Sequence, residues 1–324
     1  MKNKIAAAIL LTVALAVSGC GSGGSDATEN TTASQEGINS DLKSANESSQ
    51  EVFAMDTYMT VTAYGKNAKK AVDASIEEIK RLDALLSTGD EDSEIAKLNV
   101  NKSATLSEDG GYLVQRGIEL STMTDGAFDI AIYPVMQEWG FPTKDFKVPD
   151  DATLKELLKL ADVSKIDYDN KSREISFEDA CMEIDLGGIA KGYTSSRIMD
   201  IFKEYDVDSG LVNLGGNVQT YRTKTDGSKW RVAVQSPEDE SQYIGVVDVS
   251  DKAVITSGGY ERYFEQDGKI YHHIIDPATG YPAESGLKSV TIVSDDGTLA
   301  DGLSTSLFII CLLYTSPSPR DRTR

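Results

Sequence analysis

Val72, Ile76, Ile79, Leu82 and Leu86 recur at helical spacing along Lys66–Leu86, directly behind a Thr-, Val- and Tyr-rich run from Met55 to Tyr64. The first pattern is the apolar face of a helix whose other faces carry Lys and Glu, and the second reads as a strand. A strand feeding such a helix lays that apolar face on a sheet. Further helices are expected over Gly111–Met123, Thr153–Leu160, Ile189–Tyr205 and Asp301–Ile310. Strands are expected over Gly210–Leu214, Trp230–Gln235, Tyr243–Val249, Lys269–Ile275 and Leu287–Val293, and Tyr168-Asp169-Asn170-Lys171 reads as a hairpin turn. Helices and strands come in mixed order rather than in regular alternation, so an α+β fold is expected and a doubly wound sheet is not.

The chain's first residues point to export. Lys2 and Lys4 precede an apolar run from Ile5 to Val17, too short to span a bilayer, which needs roughly 20 apolar residues. The run has the length of a signal-peptide core and ends in Val17-Ser18-Gly19-Cys20, which resembles a lipoprotein cleavage box. Residues 1–19 are therefore read as a signal peptide and Cys20 as the lipidated residue, giving an extracytoplasmic protein anchored to the cell membrane. Ordinary secretory cleavage beside an incidental cysteine is the plainer alternative, and it also exports the chain. From Cys20 to about Gln50 the Gly/Ser/Thr/Asn-rich composition lacks the residues that bury surface, and reads as a flexible tether. Cys181 and Cys311 are too few for a disulfide framework. With 52 acidic against 32 basic residues the net charge is −20, a field that opposes nucleic acid and anionic lipid surfaces. An anionic ligand then needs local cationic groups or a metal.

Five segments carry candidate chemistry: Gly126-Ala127-Phe128-Asp129, Asp185-Leu186-Gly187-Gly188-Ile189-Ala190-Lys191-Gly192, Asn213-Leu214-Gly215-Gly216-Asn217, Thr256-Ser257-Gly258 and His272-His273-Ile274-Ile275-Asp276-Pro277. Two glycines at a helix start let a ligand approach the backbone, and Lys191 one turn in can reach a phosphate. A tight turn with a surface lysine explains the same residues. The chain's two histidines are side by side, and imidazole is suited to take a hydroxyl proton near neutral pH. A strand-end histidine held by a backbone partner is the plainer account. Asp301 and Thr305, four residues apart on a helix, present hard oxygens on one face, which suits Mg²⁺. Alternatively Asp301 caps the helix and Thr305 bonds back to its carbonyls.

Taken together and in order, MDTYMTV, SEIAKLN, GAFDIAIYP, DLGGIAKGY, NLGGN, TSGGYERYF, YHHIIDPATGYP and ADGLSTSLF resemble the ApbE family of FAD:protein FMN transferases, over about Met55 to Leu307. The resemblance implies a single α+β unit of T-fold-like architecture, with mixed sheets and flanking helices, over residues 51–310. It implies FAD as substrate, contacted by Met55, Ala127, Phe128, Asp129, Asp185, Lys191 and Ile274, and Mg²⁺ held by the Gly188 carbonyl, Asp301 and Thr305. It marks His273, directly before Ile-Ile-Asp-Pro, as the catalytic base. The implied reaction passes FMN to a Thr or Ser hydroxyl of an exported domain of a membrane redox complex and releases AMP. An FAD pyrophosphatase releasing FMN and AMP, or a flavin-binding lipoprotein without catalysis, are the alternatives.

Two departures from the family pattern stand out. Gly302 replaces the usual alanine between the two metal ligands, at a helix-interior cost of up to ~1 kcal/mol that shrinks if the helix starts there. The chain also turns abruptly to Pro, Ser and Arg over residues 311–324, which reads as a truncated or frame-shifted tail.

Overall fold

A computed structural model describes residues 46–239 and 241–311. The signal-like segment, Cys20, the tether up to residue 45 and the tail from residue 312 lie outside the described residues.

The expected α+β class holds. Six strands form one antiparallel sheet in the order β1 (Glu47–Ala54), β2 (Thr57–Tyr64), β6 (Ser209–Leu214), β7 (Asn217–Tyr221), β10 (Ala253–Gly258) and β13 (Ser289–Ser294). Three helices lie side by side on one face of it. α1 (Ala68–Leu86) covers β1 and β2, α6 (Gly187–Glu204) covers β6 and β7, and α7 (Gly297–Ile310) covers β10 and β13. The apolar stripe read in the sequence is the seam: Val72, Ile76 and Ile79 of α1 meet Met59 and Val61 of β2, Val212 of β6 and Phe202 of α6, all buried.

Beyond α1 and α6 lies a second core. It is built from α2 (Glu94–Asn101), α3 (Glu108–Met123) and a small sheet of β3 (Ser103–Thr105), β5 (Glu174–Phe177) and β4 (Ile166–Asp169). β4 and β5 are the hairpin expected around Asn170, with Asp169 paired to Glu174. β8 (Trp230–Gln235) and β9 (Tyr243–Val249) pair as a separate hairpin, as do β11 (Tyr263–Gln266) and β12 (Lys269–His272). An aromatic cluster holds the β11–β12 hairpin: Phe264 and Tyr271 pack on Trp139, at the end of α4 (Tyr133–Trp139), and Trp139 Nε1 donates to the Gly280 carbonyl at 2.8 Å. α5 (Asp151–Leu157) contributes Leu154 to this cluster.

Several boundaries differ from the expectation for physical reasons. β1 begins at Glu47, inside the stretch read as tether. Its polar sequence is tolerated because it is an edge strand whose alternate residues stay exposed. The strand expected to reach Ile275 stops at His272, and Ile275 forms a lone bridge with Pro282 instead. α7 begins at Gly297 rather than Asp301, because Asp296 caps it, its side chain accepting from Leu299 N at 2.9 Å.

Gly302 is thus in the helix interior, where helix propensity favours alanine by about 1 kcal/mol. A Cβ there would lie 2.4 Å from Cδ1 of Leu120, a fully buried residue of α3. Gly302→Ala is therefore expected to destabilise the protein by about 1–3 kcal/mol through overpacking, against the propensity gain. Urea unfolding measures this, and Leu120→Val in the same chain should recover part of the loss. A stability gain from Gly302→Ala alone would refute the packing account.

Candidate active site

The glycine-rich segment opens α6. Asp185 Oδ1 accepts from Gly187 N at 2.9 Å, and Asp185 N donates to the Ile130 carbonyl at 2.8 Å, which ties this segment to the residues after Gly126-Ala127-Phe128-Asp129. The Phe128 ring lies against Gly188, 2.8 Å from where a Cβ would stand. Ala127 and Phe128 are buried beside this junction. Asp129 is committed to the backbone: its oxygens accept from Ala131 N at 2.7 Å and Val163 N at 3.3 Å, and burial pushes its carboxyl up to about 6.

Met55 and Asp56, with φ of +48° and +60°, form the two-residue turn between β1 and β2. Both signs fit a type I′ hairpin turn, a conformation that favours Asn and Gly. A methionine held there is strained, and it is held by its amide donating to Asp83 Oδ1 at 2.9 Å and by its Sδ lying 3.9 Å from Thr194 Oγ1 of α6. Met55 thereby reaches α6 about two turns from its start.

α6 and α7 cross closely at Gly192. A Cβ there would fall 2.2 Å from the Gly297 carbonyl, so only glycine permits the approach. The approach lets the Gly192 amide donate to Asp301 Oδ2 at 2.8 Å, while Asn217 Nδ2 donates to Oδ1 at 3.0 Å. Enclosure raises the Asp301 carboxyl above its ordinary range, opposed by the Lys191 charge and these two donors. In a regular helix the Gly188 carbonyl points at the Gly192 amide, the same amide that donates to Asp301, which puts that carbonyl on the Asp301 side of α6. One turn along α7, Thr305 Oγ1 lies 3.2 Å from Ser257 Oγ of β10. A buried carboxylate with only neutral donors on its oxygens, a hydroxyl and a carbonyl together suit a hard divalent cation that keeps waters or phosphate oxygens as its other ligands. The capping role open to Asp301 belongs to Asp296, and the Asp301 carbonyl is bonded by Ser304 Oγ at 2.8 Å.

The two histidines separate in role. His272 Nε2 bonds the Ala283 carbonyl at 3.2 Å, its buried Nδ1 has no partner among the described residues, and its ring stands edge-on to Phe308 at 5.5 Å. His273 Nδ1 is 3.1 Å from the Arg262 carbonyl. A carbonyl only accepts, so Nδ1 carries the proton and Nε2 keeps a free lone pair. Desolvation first, then the charges of Arg262 and Lys191, hold the imidazole well below its usual pKa. Ile274 has its side chain in the core against Ala283 and Phe308.

Lys191 is the hub of this region. Its charge acts on Asp185, Glu261, His273 and Asp301, and Arg262 acts on Asp185, Glu261 and His273. Asp185, Glu261 and His273 keep solvent-touching surface although protein surrounds them closely enough to shift their titration. Desolvation raises the carboxyls of Asp185 and Glu261. The sequence reading assigned no role to Asn217, Ser257, Glu261 or Arg262. Asn217 and Ser257 stood in segments already singled out, and Glu261 and Arg262 directly follow one of them in TSGGYERYF.

Comparison with known proteins gives the family. The model of the ApbE family matches residues 55–312. An FAD:protein FMN transferase of Klebsiella pneumoniae is 36% identical over 236 residues, 71% of this chain and 72% of that protein. One of Treponema pallidum is 33% identical over 285 residues, 82% and 79% of the two chains. The crystal structure of the ApbE protein of Thermotoga maritima superposes with a TM-score of 0.78 at 34% identity, covering 82% of this chain and 87% of that one. The apo flavinyl transferase ApbE of Pseudomonas stutzeri gives a TM-score of 0.73 at 30% identity, covering 82% and 84%. With the match spanning nearly all the described residues, the chain belongs to the ApbE family.

Proposed function

We propose that this protein is an Mg²⁺-dependent FAD:protein FMN transferase, joining FMN to a Thr or Ser hydroxyl of an exported redox protein and releasing AMP. Relatives at 33–36% identity carry that name. The observation that carries the reading is His273, its Nδ1–H tied to the Arg262 carbonyl so that Nε2 is the free base, and near enough to Lys191 for that charge to act on it as it acts on Asp301.

The chain's own groups divide the work. His273 Nε2 takes the proton of the acceptor hydroxyl, whose oxygen bonds the FMN phosphorus as the bond to the AMP phosphate oxygen breaks and AMP leaves with that electron pair. Lys191 and Arg262 supply the local positive charge that a chain of net charge −20 otherwise lacks. Met55, Ala127, Phe128, Asp129, Asp185 and Ile274 shape the cleft for the flavin dinucleotide, with Asp129 and Ile274 acting through the backbone they order. Asp301, Thr305 and the Gly188 carbonyl would hold Mg²⁺, which when bound offsets diphosphate charge and stabilises the leaving phosphate.

We further place the enzyme outside the cytoplasm on a lipid anchor at Cys20, a reading that rests on the sequence. Incubation with FAD, Mg²⁺ and an exported redox domain, followed by intact-mass analysis, tests both readings. The acceptor should gain the mass of an FMN phosphoester, and enzyme taken from membranes should begin at Cys20 with added acyl mass. Free FMN with an unmodified acceptor would show a hydrolase. FAD bound without AMP release would show a binding protein.

A further inference from the structure

The hydroxyls around Thr305 form a chain whose direction can be deduced atom by atom. Ser304 Oγ lies 2.8 Å from the Asp301 carbonyl. That oxygen can only accept, so Ser304 spends its single proton there. Ser257 Oγ lies 2.7 Å from Ser304 Oγ, and Ser304 has no proton left, so Ser257 is the donor in this second bond. Ser257 is then an acceptor toward Thr305 Oγ1, 3.2 Å away, and Thr305 is the donor. The relay runs from Thr305 through Ser257 and Ser304 to the backbone of Asp301.

Its consequence is local and chemical. A threonine hydroxyl ligates a cation through a lone pair, and its proton must point elsewhere. Left to itself, a hydroxyl rotor on a helix donates to the carbonyl one turn back. Here that carbonyl, belonging to Asp301, is bonded by Ser304, and β10 offers Ser257 as the alternative acceptor.

We infer that Ser257 is a positioning residue for the cation site, drawing the Thr305 proton away so that the lone pairs of Thr305 Oγ1 face the metal. The inference rests on the Mg²⁺ reading above and adds a residue from a different element to it. Outer partners of this kind typically change metal affinity 10–100-fold.

Mn²⁺, followed by electron paramagnetic resonance in the presence of FAD, reads binding without catalysis. Ser257→Ala should weaken Mn²⁺ binding about 10-fold or more, and Ser257→Thr, which restores the hydroxyl, should recover most of it. Unchanged binding in Ser257→Ala, with binding lost in Thr305→Val, would overturn the positioning role and leave the metal site standing. Wild-type binding in both Thr305→Val and Asp301→Asn would overturn the metal site and the inference with it. If Ser257→Ala fails to fold, Ser304→Ala breaks the same relay at its next link. Weakened Mn²⁺ binding there supports the inference and unchanged binding overturns it.

Discussion

Replacing His273 with alanine is expected to lower FMN transfer by roughly 10²–10⁴-fold while FAD and Mg²⁺ still bind. The magnitude is that of losing a positioned general base, and the structure supplies both requirements for one. Orientation comes from the Arg262 carbonyl, which fixes the Nδ1–H tautomer at 3.1 Å, and the hairpin carrying Arg262 is held by the Trp139 cluster. Protonation state comes from desolvation, reinforced by Arg262 and Lys191, which holds the imidazole neutral to well below its ordinary pKa. The sign of the pH effect follows. Protonating His273 removes the base, so kcat/KM should fall only on acidification past that lowered value and stay level as pH rises from there through neutrality. Intact-mass rates from about pH 5 to 9 give the profile, and FAD fluorescence quenching gives binding. An acid limb centred at or above the free imidazole value would contradict the assigned environment. Loss of FAD affinity equal to the loss of rate would move His273 from catalysis to binding.

The elements that carry the site were legible where their signal is local. The stripe from Val72 to Leu86 marks the buried face of α1, and the glycines at 187 and 188 stand where α6 begins, while His273 was singled out only by its place in the family motif. What was not legible is held across long separations. Asn217 orients a carboxylate 84 residues away, and Ser257 bonds a hydroxyl 48 residues away. Neither has a local pattern, since an asparagine after two glycines reads as a turn. Gly302 shows the same limit from the other side. Helix propensity alone marks it as a defect, and only the arrival of Leu120 from α3 makes the missing methyl necessary. β1 was read as tether because Glu47-Ser48-Ser49-Gln50 is polar, and an edge strand with one wet face places few demands on composition.

Asp301→Asn is expected to raise the Mg²⁺ concentration needed for half-maximal transfer by roughly 30-fold or more. Truncating the charge of a buried pair costs about 2–5 kcal/mol, and each 1.4 kcal/mol is a factor of ten. Asparagine keeps the side-chain volume at a position only 5% exposed, so the change isolates charge. The carboxyl is raised by enclosure, and a carboxyl whose folded pKa is raised favours folding at low pH and loses that contribution as pH rises through the folded value. Once ionised, the buried carboxylate is an anion that a divalent cation offsets beyond what Lys191 and its two donors supply, so Mg²⁺ should raise the melting temperature of the wild type. Asparagine removes the anion, but its amide group faces the Gly192 and Asn217 donors, leaving one of them without an acceptor at a cost of about 1–3 kcal/mol. Those two effects oppose each other in the cation-free melting temperature, which is why that temperature decides nothing. The Mg²⁺-dependent increment does decide, because only the charge contributes to it. It should vanish in Asp301→Asn along with the shift in the activity titration. A variant that keeps both the wild-type increment and the wild-type titration would place the metal away from Asp301.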